Sequence, residues 1–484
     1  MFCLDNWMRS SMLIAALTLG WGCETKGPGT DNQTGNTDDT DTDDTDTDTD
    51  TDDTDTDTDN TDDTDDTDDT DDTDTDDTDD TDDTEVGDIV VSSDRDGAES
   101  ELLYYTREAV LVGTSDAVDG IFTSLAAGDF DEDGVDELVV ARHVPDDSDS
   151  DLYYFELLAS TPYFDTTNRS GRINSVAAGQ LDDDGEAEVA LTIETGEGVE
   201  GNLFETEILI YQPGESDLFL DSTNDEGRYT QIVTGNLDED EHDEIVVVKL
   251  HEDGLATQTE SEFWIADVQT STSAGDARNL TIEDITPNRY WDLTGAAIGK
   301  FSDGEVTANI VVTSDRRTAV EAGTTDPAPE TSRAEFFAGD IVAESVTYAF
   351  DQDPKRDEGM VGITSANLDG GEDDDLAIIL NGTDYSTVEA YHGTGLSIDA
   401  KTVASVLGPD GSQAVAVDAG DLDADGVDEI VVLFDLQDGT SQIVTYRVGA
   451  ELELSVADEG EPFNGTGTDV VMVSGLLSEE MSNR

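Results

Sequence analysis

Basic residues are scarce in this chain. Lys and Arg together number 20 against 120 Asp and Glu, a net charge of -100 over 484 residues. Such a polyanion repels phosphate backbones and anionic lipid heads, which excludes nucleic acid and a membrane surface as partners for its bulk. Cysteine is nearly absent: Cys3 and Cys23 both precede the body of the chain. This excludes a disulfide framework and any cysteine nucleophile within that body. Histidine is equally thin, with His143, His242, His251 and His392 scattered and none in an HExxH spacing. No G-x-S-x-G elbow or P-loop occurs either. What remains in excess is carboxylate, for which divalent cations are the natural counter-ligands.

Long apolar runs are also missing. The one near the N-terminus, Met12 to Leu19, follows Arg9 and is too short to cross a hydrocarbon core of ~30 Å as a helix. Gly20-Trp21-Gly22-Cys23 comes next and is similar to a lipobox, with Gly20 where leucine is usual and Leu19 one place early. Residues 1–23 are therefore expected to be a lipoprotein signal peptide, with Met8 as an alternative start. Acylated Cys23 would be the only membrane attachment. The expected location is the outer membrane or cell surface; an ordinary cleaved signal peptide would make the protein secreted or periplasmic.

Residues 24–84 form a second region. From Thr37 to Thr84 the chain uses only Thr, Asp and Asn, so it has no apolar side chain with which to build a core. Its like charges repel along the chain, and an extended, solvated, disordered tether is expected. At ~3.1 Å per residue it would reach on the order of 150 Å. The Asp-x-Asp alternation lacks the glycine turn and terminal acid of a calcium loop.

From Glu85 to Arg484 the composition changes to short β-branched runs separated by Gly, Asp and Ser, an all-β pattern. The segment Leu125–Val140 recurs almost unchanged at Val415–Val432, and weaker copies begin at Val176, Ile232, Ala296 and Ile363. The small residue before each loop falls at Gly128, Gly179, Gly235, Gly299, Ala366 and Gly420, and a further step of the same size reaches Gly475. An apolar run follows each loop, and an aromatic strand follows each run. The seventh run is Ile89–Val91, near the start of the body, and its strand holds Tyr104 and Tyr105. At about 57 residues per unit these copies suit four-stranded blades. The predicted fold is a seven-bladed β-propeller whose closing blade is split, with Val470–Val473 as the inner strand and Ile89–Val91 beside it. Closure of this kind joins the two ends of the body in one blade, leaving only the short outer edges of the blades.

The loops carry the chemistry. Asp129-Phe-Asp-Glu-Asp-Gly-Val-Asp-Glu137 resembles the D-x-[DN]-x-[DN]-G-x-x-[DE] loop of FG-GAP/VCBS repeats, the type found in integrin α-subunit propellers. Here the loop lies between two strands, without the flanking helices of an EF-hand. The resemblance covers the body from Glu85 onward and implies calcium, which takes six to eight hard oxygens from alternate positions of a tight loop. In the first loop the ligands would be Asp129, Asp131, Asp133, the carbonyl of Val135 and Glu137, with Gly134 permitting the turn. The sixth would use Asp421, Asp423, Asp425, the carbonyl of Val427 and Glu429, with Gly426. Less complete sets are Gln180, Asp182, Asp184, Glu186 and Glu188 in the second loop and Asn236, Asp238, Asp240, His242 and Glu244 in the third. Residue 186 or 242 would contribute its backbone, and the His242 imidazole is expected to face solvent. Asn367, Asp369, Asp373 and Asp375 form the fifth set, reduced by Gly371. The fourth loop, with Lys300 in first place, and the split seventh, Leu476–Glu480, are expected to hold no metal. The family usually ends the loop with Asp, whereas four of these five candidates end with Glu.

The functional expectation is a surface-tethered, calcium-binding propeller acting as a monomer. It would be a non-catalytic binding or adhesion module for an extracellular protein or glycan. The alternative is a carbohydrate-active enzyme, a polysaccharide lyase or hydrolase using the propeller pocket, for which Arg289, Tyr290 and Trp291 are the local group to inspect. A third reading takes the acidity as adaptation to high salt.

Overall fold

A computed structural model describes residues 87–474, apart from 96, 145–148, 166–168, 183–184, 196–204, 214–217, 222–224, 238–241, 252–259, 270–278, 286–291, 302–308, 316–331, 341–344, 357, 372, 393–402 and 450–452. The expectations for the signal peptide, Cys23, the tether, Arg289–Trp291, Gly475 and Leu476–Glu480 lie outside these residues, as do those for Asp184, Asp238 and Asp240.

Every regular element among the described residues is a β-strand, and the strands form seven antiparallel sheets. Blade 1 begins with the inner strand Ile121–Gly128, followed outward by Glu137–His143 and Asp149–Phe155. Blades 2 to 6 repeat this order from inner strands Arg172–Gly179, Arg228–Gly235, Asp292–Gly299, Gly359–Ala366 and Gln413–Gly420. The last blade is split as the sequence predicts. Its inner strand Thr466–Ser474 pairs with Gly87–Arg95 from the other end of the body, and Glu99–Tyr105 follows outward. The protein is a seven-bladed β-propeller.

Second strands such as Leu138–Ala141 are apolar without alternation because both of their faces are covered. Val139 and Ala141 pack with Ile173 and Val176 of blade 2, whereas Leu138 and Val140 pack with Val90 and Leu102 of the closing blade. Each of the seven blade interfaces has its own buried cluster, including the one that joins the two ends of the ring. Full burial of one such Val or Leu contributes ~1.5–3 kcal/mol, so the core is distributed around the ring.

A sevenfold polar feature accompanies these clusters. A completely buried Ser or Thr opens each third strand: Ser100, Ser150, Thr206, Ser261, Ser332, Ser386 and Ser441. Ser150 shows the role. Its hydroxyl donates to the Gly171 carbonyl (2.8 Å) and accepts from the Ile173 N–H (3.3 Å), fixing the entry of the next inner strand. Gly171 has φ +134°, and a Cβ there would lie 2.5 Å from the Glu194 carbonyl oxygen. Only glycine fits that turn without displacing backbone.

One detail of the sequence alignment is corrected by register. Gly128 pairs with Glu137 and Ala127 with Leu138, whereas Met472 pairs with Ile89 and Val473 with Asp88. Val473, rather than Gly475, occupies the seventh copy of the Gly128 position. Pairing with the Ile89–Val91 strand sets this register, and the spacing between small residues does not.

Candidate functional site

All first strands run the same way around the channel, so the loops joining them to the second strands gather on one face. Within loop 1, residues 129–137, Asp129 folds the chain over itself. Its two carboxylate oxygens accept the N–H groups of Asp133 (3.2 Å) and Gly134 (3.0 Å), and Asp133 accepts that of Val135 (2.9 Å). Gly134 has φ +83°. Phe130 is buried as an anchor, and its N–H is capped by Glu137 Oε2 at 3.0 Å. Loop 6, residues 421–429, reproduces this geometry. Asp421 accepts from Asp425 (3.1 Å) and Gly426 (2.7 Å), Asp425 from Val427 (3.0 Å), and Glu429 Oε2 from Leu422 (3.0 Å).

The same cap recurs where the last acid is Asp375 (to Leu368, 3.1 Å) and where it is Glu188 (to Leu181, 2.7 Å) or Glu244 (to Leu237, 2.5 Å). Glu and Asp thus do one job at this position. In each case one carboxylate oxygen closes the loop.

Ligand atoms converge in loops 1, 5 and 6 among the described residues, in loop 5 as Asp369 and Asp375 with His392. Carboxylate oxygens of Asp129, Asp131 and Glu137 lie within 4.8 Å of one another, as do those of Asp421, Asp423 and Asp425. Among the described residues no basic side chain pairs with Asp129, Asp131 or Glu137. Burial, with Asp131, Asp133 and Asp129 adding to it against the Phe130 N–H, pushes the Glu137 carboxyl up to about 7. In loop 6 the Arg447 guanidinium lies among the acids. Nε donates to Glu429 Oε1 (2.6 Å), and Nη2 to Asp423 (2.5 Å) and Asp425 (3.2 Å). Glu429 is raised by burial too, but Arg447 opposes the shift.

In loop 5 the His392 Nδ1 lies 3.0 Å from Asp369 and 2.9 Å from Asp375. Asn367 instead donates its side-chain amide to the Gly371 carbonyl (3.1 Å). The described part of loop 2 has Asp182 buried, with Gln180 Nε2 3.5 Å from its carbonyl, and Glu186 accepting from Gln212 (3.2 Å). In loop 3 Asn236 is half-buried, and so is His242, contrary to the solvent-facing imidazole expected from sequence.

The residue just before the terminal acid has a role that the sequence reading missed. Asp243, Asp374 and Asp428 each reach back to the preceding blade, accepting the N–H of Gln180 (2.9 Å), Lys300 (2.6 Å) and Asn367 (2.7 Å). Their own N–H groups donate to the same three residues' carbonyls. Ala187 keeps only the backbone half, donating to the Asp129 carbonyl. These aspartates hold blades together, and their spacing from the first acid was the available signal.

Seven inner strands enclose a channel of about 350 Å³. Latches cross its wall: Ser124 to Val176 and Ser175 to Ile232 (both 3.3 Å), Gln231 to Ala296 (2.9 Å), Asp418 to Met472 and Asp469 to Leu125 (both 2.8 Å). Burial raises both Asp418 and Asp469 to about 6, against their backbone hydrogen bonds.

No family model matches the chain, and no curated protein matches it. Among solved structures, a protein from Lactobacillus plantarum is 12% identical, with a TM-score of 0.45 over 80% of this chain and 99% of that one. Sqt1 of Chaetomium thermophilum, bound to the N-terminus of a ribosomal protein, is 12% identical, with a TM-score of 0.40 over 69% and 73%. The exotype rhamnogalacturonan lyase YesX is 10% identical, with a TM-score of 0.39 over 81% and 85%. At these values the propeller assignment rests on the strand order and ring closure described above.

Proposed function

We propose that this protein is an exported, non-catalytic binding module. Its propeller carries calcium in loop 1 and presents the loop face to an extracellular protein or glycan. The observation that carries this reading is the convergence of Asp129, Asp131 and Glu137 with no basic partner for these three among the described residues. Carboxylates so placed repel one another, and buried charge without a counter-charge is costly. A hard divalent cation removes that repulsion. Calcium suits the crowded oxygen set better than magnesium, which sheds its water reluctantly. Asp129, Asp131 and Glu137 would hold the ion, with Asp133 and the Val135 carbonyl completing the set.

The resemblance of the loop to FG-GAP/VCBS repeats agrees with this reading, as do the short apolar run Met12–Leu19 after Arg9 and the Thr/Asp-rich segment beyond it, which are expected to be a leader and a tether. With no disulfide available to the body, metal would supply part of the stabilisation usual for exported domains. The test is thermal melting of the full chain with calcium and with chelator, for wild type and Glu137→Gln, followed by glycan-array binding. Calcium should raise the wild-type Tm and raise that of the variant less. An unchanged wild-type Tm on chelation overturns the calcium reading. Sustained cleavage of an acidic polysaccharide overturns the non-catalytic one.

A further inference from the structure

Loops 1 and 6 share backbone and carboxylates but differ in what balances their charge, and strand register shows why. Leu138 pairs with Phe155, Val189 with Tyr211, Leu376 with Tyr391 and Ile430 with Tyr446. The residue that follows each of these four partners on its third strand or just beyond it therefore stands at one equivalent place beside its own blade's loop. These residues are Glu156, Gln212, His392 and Arg447. Three of them reach an acid of the loop: Gln212 meets Glu186, His392 meets Asp369 and Asp375, and Arg447 meets Asp423, Asp425 and Glu429. Glu156, beside loop 1, is exposed and adds a negative charge.

We propose that this third-strand position sets how each loop is neutralised, and that Arg447 is the resident cation of loop 6, which admits a divalent ion only when the guanidinium leaves. The contrast with loop 1 rests on the calcium reading above; the assignment of Arg447 does not.

Arginine stays ionised in proteins, and its planar fork serves two carboxylates at once. Here it spans both ends of the loop, from Asp423 and Asp425 to Glu429. Being part of the chain, it competes at a high effective concentration that free calcium must exceed. Glu429 is buried, whereas Arg447 is about a third exposed, so the lock is accessible from one side. On that side lies a cleft of about 400 Å³ lined by Arg107, Glu108, Thr445 and Asp458. A displaced guanidinium has room there and the carboxylate of Asp458 to receive it, Glu108 being already paired with Arg107 at 2.9 Å. Loop 6 is thus an exchangeable ion lock, closed at low calcium and open to metal at high calcium.

The experiment counts calcium bound per full-length chain at low micromolar free calcium by equilibrium dialysis, and measures Tm in chelator. D131N/E137Q should lose one ion and D423N/D425N none, while R447E should gain one. In chelator, R447Q should melt lower by on the order of 2 °C. Loss of an ion from D423N/D425N overturns the proposal, as does an unchanged chelated Tm for R447Q. If R447E does not fold, R447Q supplies the count, and its failure to gain an ion counts against the proposal. If D131N/E137Q loses nothing, the calcium reading of loop 1 fails, and the chelated melt of R447Q alone decides the role of Arg447.

Discussion

Loops 1 and 6 are near copies in sequence, in turn geometry and in the capping bond from their terminal Glu, yet their electrostatics differ. In loop 1 the acids face one another, and burial, with Asp131, Asp133 and Asp129 adding to it, pushes the Glu137 carboxyl up to about 7. In loop 6 a guanidinium occupies the place where a metal is expected. The contrast teaches that a ligand motif specifies an arrangement of oxygens, while the surrounding fold specifies the cation that meets them.

The largest expected effect separates the two loops in chelator. Glu429→Ala leaves Arg447 without its buried partner and the Leu422 N–H without its acceptor, and should cost ~2–4 kcal/mol in urea denaturation. Glu137→Ala loses the matching cap to Phe130 but also removes an uncompensated carboxylate, so its cost should stay within ~1 kcal/mol. Equal losses at the two sites would mean that Arg447 contributes nothing to loop 6.

Moving the cation should move the behaviour. Glu156→Arg supplies loop 1 with its own guanidinium, and the expected gain in chelator is ~1 kcal/mol, with a smaller Tm response to calcium. A full calcium response in this variant would show that the third-strand position does not control loop 1.

The channel latches offer a parallel contrast between neutral groups (Ser124, Ser175, Gln231) and the two carboxylates at the closing blade. Asp418 and Asp469 have folded values raised to about 6. Between the ordinary carboxylate range near ~3.9 and that value, the folded state therefore binds more protons than the unfolded one. Their contribution to stability must fall as pH rises through that window and level off above it. Asp418→Asn keeps an oxygen for the Met472 N–H and should flatten part of the decline in a pH series of denaturation midpoints. An unchanged slope would remove Asp418 from the account.

The smallest effect serves as a control. Gly134 and Gly426 both have φ +83°, and nothing lies within 4 Å of where a Cβ would stand, so alanine costs only backbone strain, ~1 kcal/mol at each. Because that strain is local, the two losses should match in chelator despite the different charge balance.

Much of the architecture was legible in the sequence. Apolar runs such as Leu138–Val140, aromatic strands and recurring loops count seven units, and Ile89–Val91 betrays the split blade, because ring closure needs a partner for the final inner strand. Less legible was anything fixed by pairing between distant strands. Spacing points to Gly475 as the seventh loop-entry residue, whereas register places Val473 there. Asp243, Asp374 and Asp428 pass for filler within the loop motif, yet they clamp blades by accepting N–H groups more than sixty residues away. The buried Ser and Thr that open the third strands are invisible at that level, because one hydroxyl in a strand carries no periodic signal.

Sequence alone determined the sevenfold β-repeat, the split closure and the spacing of the loop carboxylates, since all three follow from local hydrophobic patterning and alternate positions in a tight turn. Only the tertiary structure decided which loop meets a cation of the chain itself. Arg447 lies eighteen residues beyond Glu429, and antiparallel pairing of the second and third strands brings it back beside the acids. That return depends on register, which local composition does not encode.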